Sequence, residues 1–295
     1  MNHLIGTQLE EKNKRILVLC PYPLGIAPGQ RFRFEHYLGL LEKAGINYEV
    51  QTFLDEATNK VLYKPKNYLK KITGVLLGFF RRFRLLFSLS RFDYIYVFRE
   101  VSPLGPPIFE WLIAKVWKKK IIYDFDDAIW ISNTTGTNKI VARIKWHQKV
   151  AKICSWAYKV SVGNAYLGNF AKQYNQQVFL LPTVVNTSTE HNKIQNHTNK
   201  VNVGWTGSHS TLFYLEMILP VLKRLETQYD FNFYVIADKN PALPLKSFKF
   251  IKWNKQTEID DLLNFHIGLM PLHNEEWSKG KCGFKAIQYL SLIHI

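Results

Sequence analysis

Residues 15–30, RILVLCPYPLGIAPGQ, decide the fold class of this 295-residue chain. RILVLC is a short apolar run without an alternating polar face, which marks a strand buried on both sides of a sheet. PYPLGIAPGQ, punctuated by Pro and Gly, is a loop, and a helical pattern over 32–43 follows it and stops at Gly45. Downstream the alternation continues, with strands expected at 48–53, 94–98, 120–123, 160–162 and 178–181. Helical patterns cover 68–87, 107–118, 139–157 and 165–174. Strands alternating with helices give a parallel, doubly wound sheet. The alternation restarts at 201–211, VNVGWTGSHST, with strands at 201–205, 231–236, 248–251 and 267–272 and helices at 211–228 and 257–264. Pro220 is expected to kink or split its helix. The polar stretch NTSTEHNKIQNHTNK between the halves reads as a linker. The expected organisation is therefore a first domain over 1–186, a linker over 187–200 and a second domain over 201–295.

A chain of 295 residues, 47% apolar and 21% charged, is a globular protein with more than one core, not a disordered or disulfide-stapled one. Its longest apolar runs fall short of the ~18–20 residues that cross a bilayer. Cys20, Cys154 and Cys282 are scattered and form no CxxC pair, which points to a reducing, cytoplasmic compartment without a structural metal. The net charge of +16 calls for an anionic partner. Between Ala57 and Phe92 the chain carries nine cations and no acid. Leu69, Ile72, Leu76, Phe79, Phe83 and Leu86 step through that stretch by three and four, giving one apolar helical face with cations opposite. Such a helix over 66–91 suits an anionic membrane surface, or is a core helix with a basic outer side. No nucleic-acid-binding motif is present, and no nucleic acid partner is expected.

Four places carry chemistry. The loop after the first strand, with Gly25 and Gly29 leading to Arg31 and Arg33, lies where open α/β sheets bind ligands, and reads as an anion or sugar site or as a plain connection. Asp124, Asp126 and Asp127 end the strand KIIY; carboxylates there bind a divalent cation, orient a sugar hydroxyl, act as a base, or cap a helix. Gly204–Thr211, GWTGSHST, places small residues at a helix start, which suits a phosphate. Finally, MPLHNEEWSKGKCGFKAIQY carries Lys281 and Lys285, four apart and on one helical face if the helix has begun, as point charges for a diphosphate. Cys282 is a space-filling residue there, with no His partner.

Together these places resemble the retaining glycosyltransferases of the GT-B fold, family 4, also called group 1. GWTGSHST and LMPLHNEEWSKGKCGFKAIQY carry most of the resemblance, with YDFDDAIW and VGNAYLGNFA before LPT adding to it. The resemblance implies an α/β chain of two facing Rossmann-like domains, each a doubly wound parallel sheet, the second incomplete. The first would hold the acceptor and the second a nucleotide-sugar, of UDP or GDP type. Carried over by position, Gly204, Gly207, Ser208, Lys281, Gly283, Phe284, Lys285 and Gln288 would serve the nucleotide-sugar and its phosphates. Gly29, Arg31, Arg33 and Asn164 would lie on the acceptor side, and Asp126 and Asp127 would be the catalytic or sugar-contacting carboxylates. Relatives place Arg directly after the first glycine, where this chain has Trp205. The family's paired glutamates fall on Gly280 and Gln288. Lys281 and Lys285 are expected to replace the missing cationic clamp.

The resemblance further implies a hexosyltransferase that transfers sugar with retention to a glycan or lipid-linked acceptor of the cell envelope. It would act in the cytoplasm or at the inner face of the cytoplasmic membrane, without metal or other cofactor. The alternatives are a nucleotide-sugar epimerase or hydrolase of the same architecture, and a non-catalytic basic lipid-binding module. Residues 290–295, LSLIHI, match the translation of a common transposon-end sequencing adapter, so the natural chain is expected to continue past Tyr289.

Overall fold

The computed structural model describes residues 14–62, 64, 66–132, 144–188, 190–193 and 199–293. The chain divides into two units, the first ending at Thr183 and recruiting Lys279–Cys282, the second formed by Val184–Ser278 and the residues from Gly283 onward.

The first unit is built on six parallel strands: β1 (Arg15–Cys20), β2 (Asn47–Thr52), β3 (Tyr94–Phe98), β4 (Lys120–Phe125), β5 (Lys159–Val162) and β6 (Val178–Leu180). Their order is β2-β1-β3-β4-β5-β6, with Val18 of β1 facing Val50 on one side and Tyr96 on the other. Leu17, Leu19, Ile95, Val97, Ile121, Val160 and Val162 are fully buried; burying such a side chain contributes about 1.5–3 kcal/mol. Because β1 connects outward to β2 and the chain then returns to β3, the sheet changes direction between β1 and β3. Crossover helices on opposite faces leave a crevice beyond the strand ends at such a point.

The second unit carries four parallel strands, β7 (Val201–Gly207), β8 (Phe231–Ala237), β9 (Phe248–Lys252) and β10 (Ile267–Gly268), in the order β10-β7-β8-β9. Its direction changes between β7 and β10. Trp205, Leu215, Leu222, Phe233 and Val235 form the larger of its two apolar clusters.

Several elements differ from the sequence expectation. The helix expected over 32–43 is broken into Pro28–Arg33, a 3-10 turn Glu35–Tyr37 and Leu38–Lys43. Pro28 starts the first piece, and Phe34 leaves helical geometry (φ −136°, ψ −29°) to pack on Tyr96 and Phe98. In place of one helix over 107–118, a turn of α-helix (Ile108–Trp111) passes into a π-helical stretch (Leu112–Val116). The helix expected over 139–157 runs from Lys149 to Trp156, because Trp146 takes a left-handed φ of 56°; residues 139–143 lie outside the described ones. Of 211–228, His209–Tyr214 is 3-10 and Leu215–Leu225 is α-helical, running on through Pro220 instead of splitting there. β10 has two residues where six were expected. β4 runs two residues further than expected, so Asp124 lies within the strand rather than after it.

The helix Tyr68–Leu86 is docked the other way round from the expected core helix with a basic outer side. Its buried residues are Gly74, Gly78, Arg82, Leu85 and Leu86. A Cβ on Gly78 would stand 2.7 Å from the Phe53 ring and 2.9 Å from the Phe53 carbonyl, so only glycine permits that approach. Arg82, fully buried, donates to the carbonyls of Val101 (2.9 Å), Gln51 (3.1 Å) and Cys20 (3.0 Å), and burial pulls its guanidinium down to about 10. Phe79 packs edge-on against Phe53, and Leu86 is buried, whereas Leu69, Ile72, Leu76 and Phe83 are exposed. Arg82→Met withdraws donors from three backbone carbonyls at once and is expected to cost about 2–4 kcal/mol in urea denaturation. Arg84→Met, on the exposed side, is expected to stay within about 0.5 kcal/mol of the parent.

Candidate functional site

In the first unit the chemistry gathers at the carboxyl ends of β1, β3, β4 and β5. The loop after β1 is clamped by Gln30, itself fully buried: its Oε1 accepts from the Tyr22 amide (3.2 Å) and its Nε2 donates to the Tyr22 carbonyl (2.9 Å) and to Glu35 Oε1 (2.8 Å). Glu35 Oε2 in turn accepts from the Gly25 amide (2.7 Å). This clamp delivers Gly29 and Arg33 to the strand ends.

Arg33 is 2% exposed and Asp124 fully buried. The guanidinium grips the carboxylate through Nε (3.0 Å) and Nη2, and donates also to Ser161 Oγ (3.2 Å) and the Leu181 carbonyl. Burial alone would weaken the guanidinium's hold on its proton; the Asp124 hydrogen bond and charge reverse that and hold it more firmly charged than usual. The loop is therefore more than a plain connection, since Arg33 is spent on a buried ion pair. Arg31 instead holds its guanidinium over the Phe32 ring, 4.9 Å from the centroid.

Above this sealed pair lies a second, partly exposed layer. Arg99, at the end of β3, donates to Asp126 Oδ1 through Nε (3.0 Å) and Nη2 (2.7 Å), and to Asp127 Oδ2 (2.6 Å). Lys281 completes it, with Nζ 2.8 Å from Asp127 Oδ1. Three carboxylates thus face three cations. The Arg99 and Lys281 side chains are each 25% exposed, which leaves this layer within reach of a ligand. A Cβ on Gly29 would lie 2.6 Å from Asp126 Oδ2, so the loop can approach the carboxylate only as glycine. Asn164 caps the helix Ala165–Lys172, its Oδ1 accepting from the Leu167 amide (2.9 Å). Its Nδ2 donates to the carbonyls of Lys279 and Lys281, both at 3.1 Å. Cys282 donates its thiol to the Asp126 carbonyl at 3.1 Å. The side chains at this site form ion pairs rather than a metal cage, and no group of three or more His, Cys, Asp and Glu suited to a metal occurs among the described residues.

Sequence reasoning missed Arg99. The signal was present: Arg99 directly follows a buried strand, the position that drew attention to the aspartates. The condition for Lys281 and Lys285 to share a helical face is not met, because the last helix begins at Phe284.

In the second unit, β7 ends at Gly207, and Ser208 precedes the 3-10 turn. The Ser208 side chain caps nothing there; it meets Ser210 Oγ at 2.8 Å, while its carbonyl accepts from the Thr211 amide and hydroxyl. Asp238, just past β8, takes the His209 amide (2.6 Å) and faces His209 Nδ1 (2.5 Å). The helix Phe284–Ile293 enters from Gly283, whose φ of 67° is a left-handed turn suited to glycine. Tyr289 ties the helix to both strands of the switch point: its hydroxyl accepts from the Thr206 amide (3.1 Å) and donates to the Leu269 carbonyl (3.3 Å). Lys285 holds its ammonium 4.1 Å from the centroid of the Trp205 ring. That indole also crowds Gly207, where a Cβ would stand 2.4 Å from it. Gln288, three residues on from Lys285, is 3% exposed and its Nε2 finds no hydrogen-bond partner among the described residues.

No family model matches the chain, and no curated protein does. Among solved structures the chain is similar to the apo form of WaaB, a lipopolysaccharide outer core galactosyltransferase, at 13% identity and a TM-score of 0.57, over 93% of this chain and 78% of that one. It is similar to a glycosyltransferase from Rickettsia africae at 10% identity and a TM-score of 0.54, over 95% and 92% of the two chains. An α-glucosyltransferase bound to UDP and DNA is 9% identical, with a TM-score of 0.53 over 89% and 74%. At these identities the likeness is one of fold, and the fold is the GT-B one, with Rossmann-like parallel sheets in both units.

Two measurements test the first unit's site. Arg33→Met strands a buried Asp124 charge and is expected to destabilise by about 3–5 kcal/mol. Arg33→Met/Asp124→Leu, which removes both charges, is expected to cost less than the sum of its single changes when the three proteins are unfolded in urea. All three thiols are pushed up to about 12, each chiefly by burial, with Asp126 and Asp127 adding to the effect at Cys282. At pH 8 about one thiol in ten thousand is then ionised. Iodoacetamide is expected to label none of them before unfolding, as read by mass spectrometry.

Proposed function

We propose that the protein transfers a sugar from a UDP- or GDP-sugar to a glycan or lipid-linked acceptor, with retention of configuration. The observation that carries this reading is the arrangement around Trp205. The chain lacks an arginine after Gly204, yet Lys285 brings an ammonium from another element over the ring of Trp205, which also packs on Gly207. The unpartnered Gln288 amide, on the same row of the helix, is a donor kept for something else. A diphosphate with a ribose or sugar hydroxyl matches a cation and an amide donor so placed.

In this reading Gly204, Gly207, Ser208, Gly283 and Phe284 shape the nucleotide-sugar site, and Lys285 meets the phosphates. As the sugar becomes oxocarbenium-like, negative charge builds on the departing diphosphate, and a fixed ammonium stabilises it more than the ground state. The acceptor hydroxyl attacks from the face the diphosphate leaves, and its proton passes to the diphosphate. In the first unit, Asp126 and Asp127 take the acceptor's hydroxyls on the oxygen lone pairs their cations leave open. Arg33 and Asn164 position them, through Asp124 and through the 279–282 segment. Lys281 governs Asp127 directly and adds positive charge for the acceptor side.

Calorimetric titration with UDP and GDP tests this reading. Wild type is expected to bind one of them, and Lys285→Met to bind it at least tenfold more weakly, about 1.4 kcal/mol. Gln288→Met is expected to weaken binding without lowering the melting temperature, because its amide serves no protein group. NMR of the product anomer checks retention. Failure of the protein to bind any nucleoside diphosphate would sink the reading.

A further inference from the structure

The helix Tyr68–Leu86 carries an unpartnered apolar row. At 100° per residue, Leu69, Ile72, Leu76, Phe80, Phe83 and Phe87 fall within about 80° of arc, centred about 160° from the Gly74–Gly78–Arg82 seam. Every one is more than half exposed, from 53% for Phe83 to 79% for Leu69. Single exposed apolar residues are ordinary, but a contiguous row along a helix of about 28 Å marks a contact surface.

Charge selects the occupant. The stretch from Ala57 to Phe92 holds nine cations and no acid. Arg82 is buried, and Lys60, Arg81 and Arg91 meet Glu56, Asp55 and Glu49. Lys64, Lys66, Lys70 and Arg84 are exposed, with no acidic partner among the described residues. A protein groove offers an apolar row a matching shape, but an apolar row on a stretch whose only charges are cations matches a bilayer with anionic headgroups. No helix among the described residues is long and apolar enough to cross a membrane, so this one would lie in the plane of the interface.

We infer that the row enters the surface of an anionic bilayer and thereby presents the first unit's strand ends to an acceptor that is itself lipid-linked. The link is the seam. Arg82 bonds the last residue of β1 (Cys20), β2 (Gln51) and the segment after β3 (Val101), so a helix fixed at a bilayer fixes the strand ends that carry Gly29, Arg33 and Arg99. The membrane contact stands on its own; the lipid-linked acceptor rests on the sugar-transfer reading.

Co-sedimentation of the whole chain with vesicles tests it, one set of phosphatidylglycerol and phosphatidylcholine, the other of phosphatidylcholine alone. Wild type is expected to prefer the first set at least tenfold. Leu76→Asp/Phe83→Asp is expected to lose at least tenfold of that affinity. Lys66→Glu/Lys70→Glu is expected to lose most of the preference for anionic lipid and its salt dependence. Both variants should melt as wild type does, since every changed side chain is exposed, and should bind UDP or GDP as wild type does. Equal vesicle binding by wild type and Leu76→Asp/Phe83→Asp overturns the inference. So does a wild-type dimer, seen by sedimentation equilibrium, that dissociates in that variant while wild type ignores vesicles. A chain that binds vesicles but no nucleoside diphosphate sinks only sugar transfer; one that binds the nucleotide but no vesicles sinks only the membrane contact.

Discussion

The buried pair of Arg33 and Asp124 sets the rest of the first unit's site. A carboxylate with no exposed surface inside a strand is tolerated only when a cation and hydrogen bonds reach it. The cation comes from the helix after β1, and it comes in one geometry, because its remaining donors are taken by Ser161 and the Leu181 carbonyl. The loop after β1 must therefore fold back over the end of β4, which is what Gln30 and Glu35 accomplish by holding Tyr22, Pro23 and Gly25. Hydrophobic burial makes the sheet; this ion pair decides where its loops end.

The outer layer repeats the logic with a looser seal. Asp126 and Asp127 lie one and two residues beyond the end of β4, and their charges are met by Arg99 and Lys281. Arg99 takes a left-handed φ of 62°, strained for a side chain that bulky. The strain is consistent with a residue held by two carboxylates. The second unit solves its strand ends differently. Trp205 packs into one of its apolar clusters and Tyr289 into another, where the Tyr289 hydroxyl bonds Thr206 of β7 and Leu269 just after β10. A self-satisfied network holds a shape, whereas the Gln288 Nε2 has no hydrogen-bond partner among the described residues.

Buried strands were legible because each is an apolar run bounded by turn residues. The strands of RILVLC, YIYVF and FNFYVIA emerge close to where the pattern sets them. Asp124 was not legible as a strand residue, since strand patterns count apolar side chains and cannot anticipate a charge paired from ninety residues away. The broken helix after β1 was hidden for a similar reason: Phe34 fits a helical repeat, but its ring is worth more against Tyr96 and Phe98 than the helix geometry it gives up. The DFDD segment and the loop after β1 read as acceptor-side and Lys281 as donor-side, but Lys279–Cys282 join the first two by contacts that have no local signature. Asn164 reaches the Lys279 and Lys281 carbonyls, and Lys281 reaches Asp127.

The docking of the helix Tyr68–Leu86 shows where amphipathic patterning stops being informative. A hydrophobic stripe says that one side of a helix wants to leave water; it does not say whether protein or lipid receives it. The decisive residues were the glycines. Gly74 approaches Thr58 and Gly78 approaches Phe53 so closely that a methyl group would collide with either. A row containing Leu76, Phe80 and Phe83 therefore has no room on that side. Turning the helix to bury its apolar row would drive those side chains into Thr58 and Phe53. It would also withdraw Arg82 from three carbonyls, leaving them without that donor. Sterics and hydrogen bonding both fix the outward direction, and the water-facing row is the consequence.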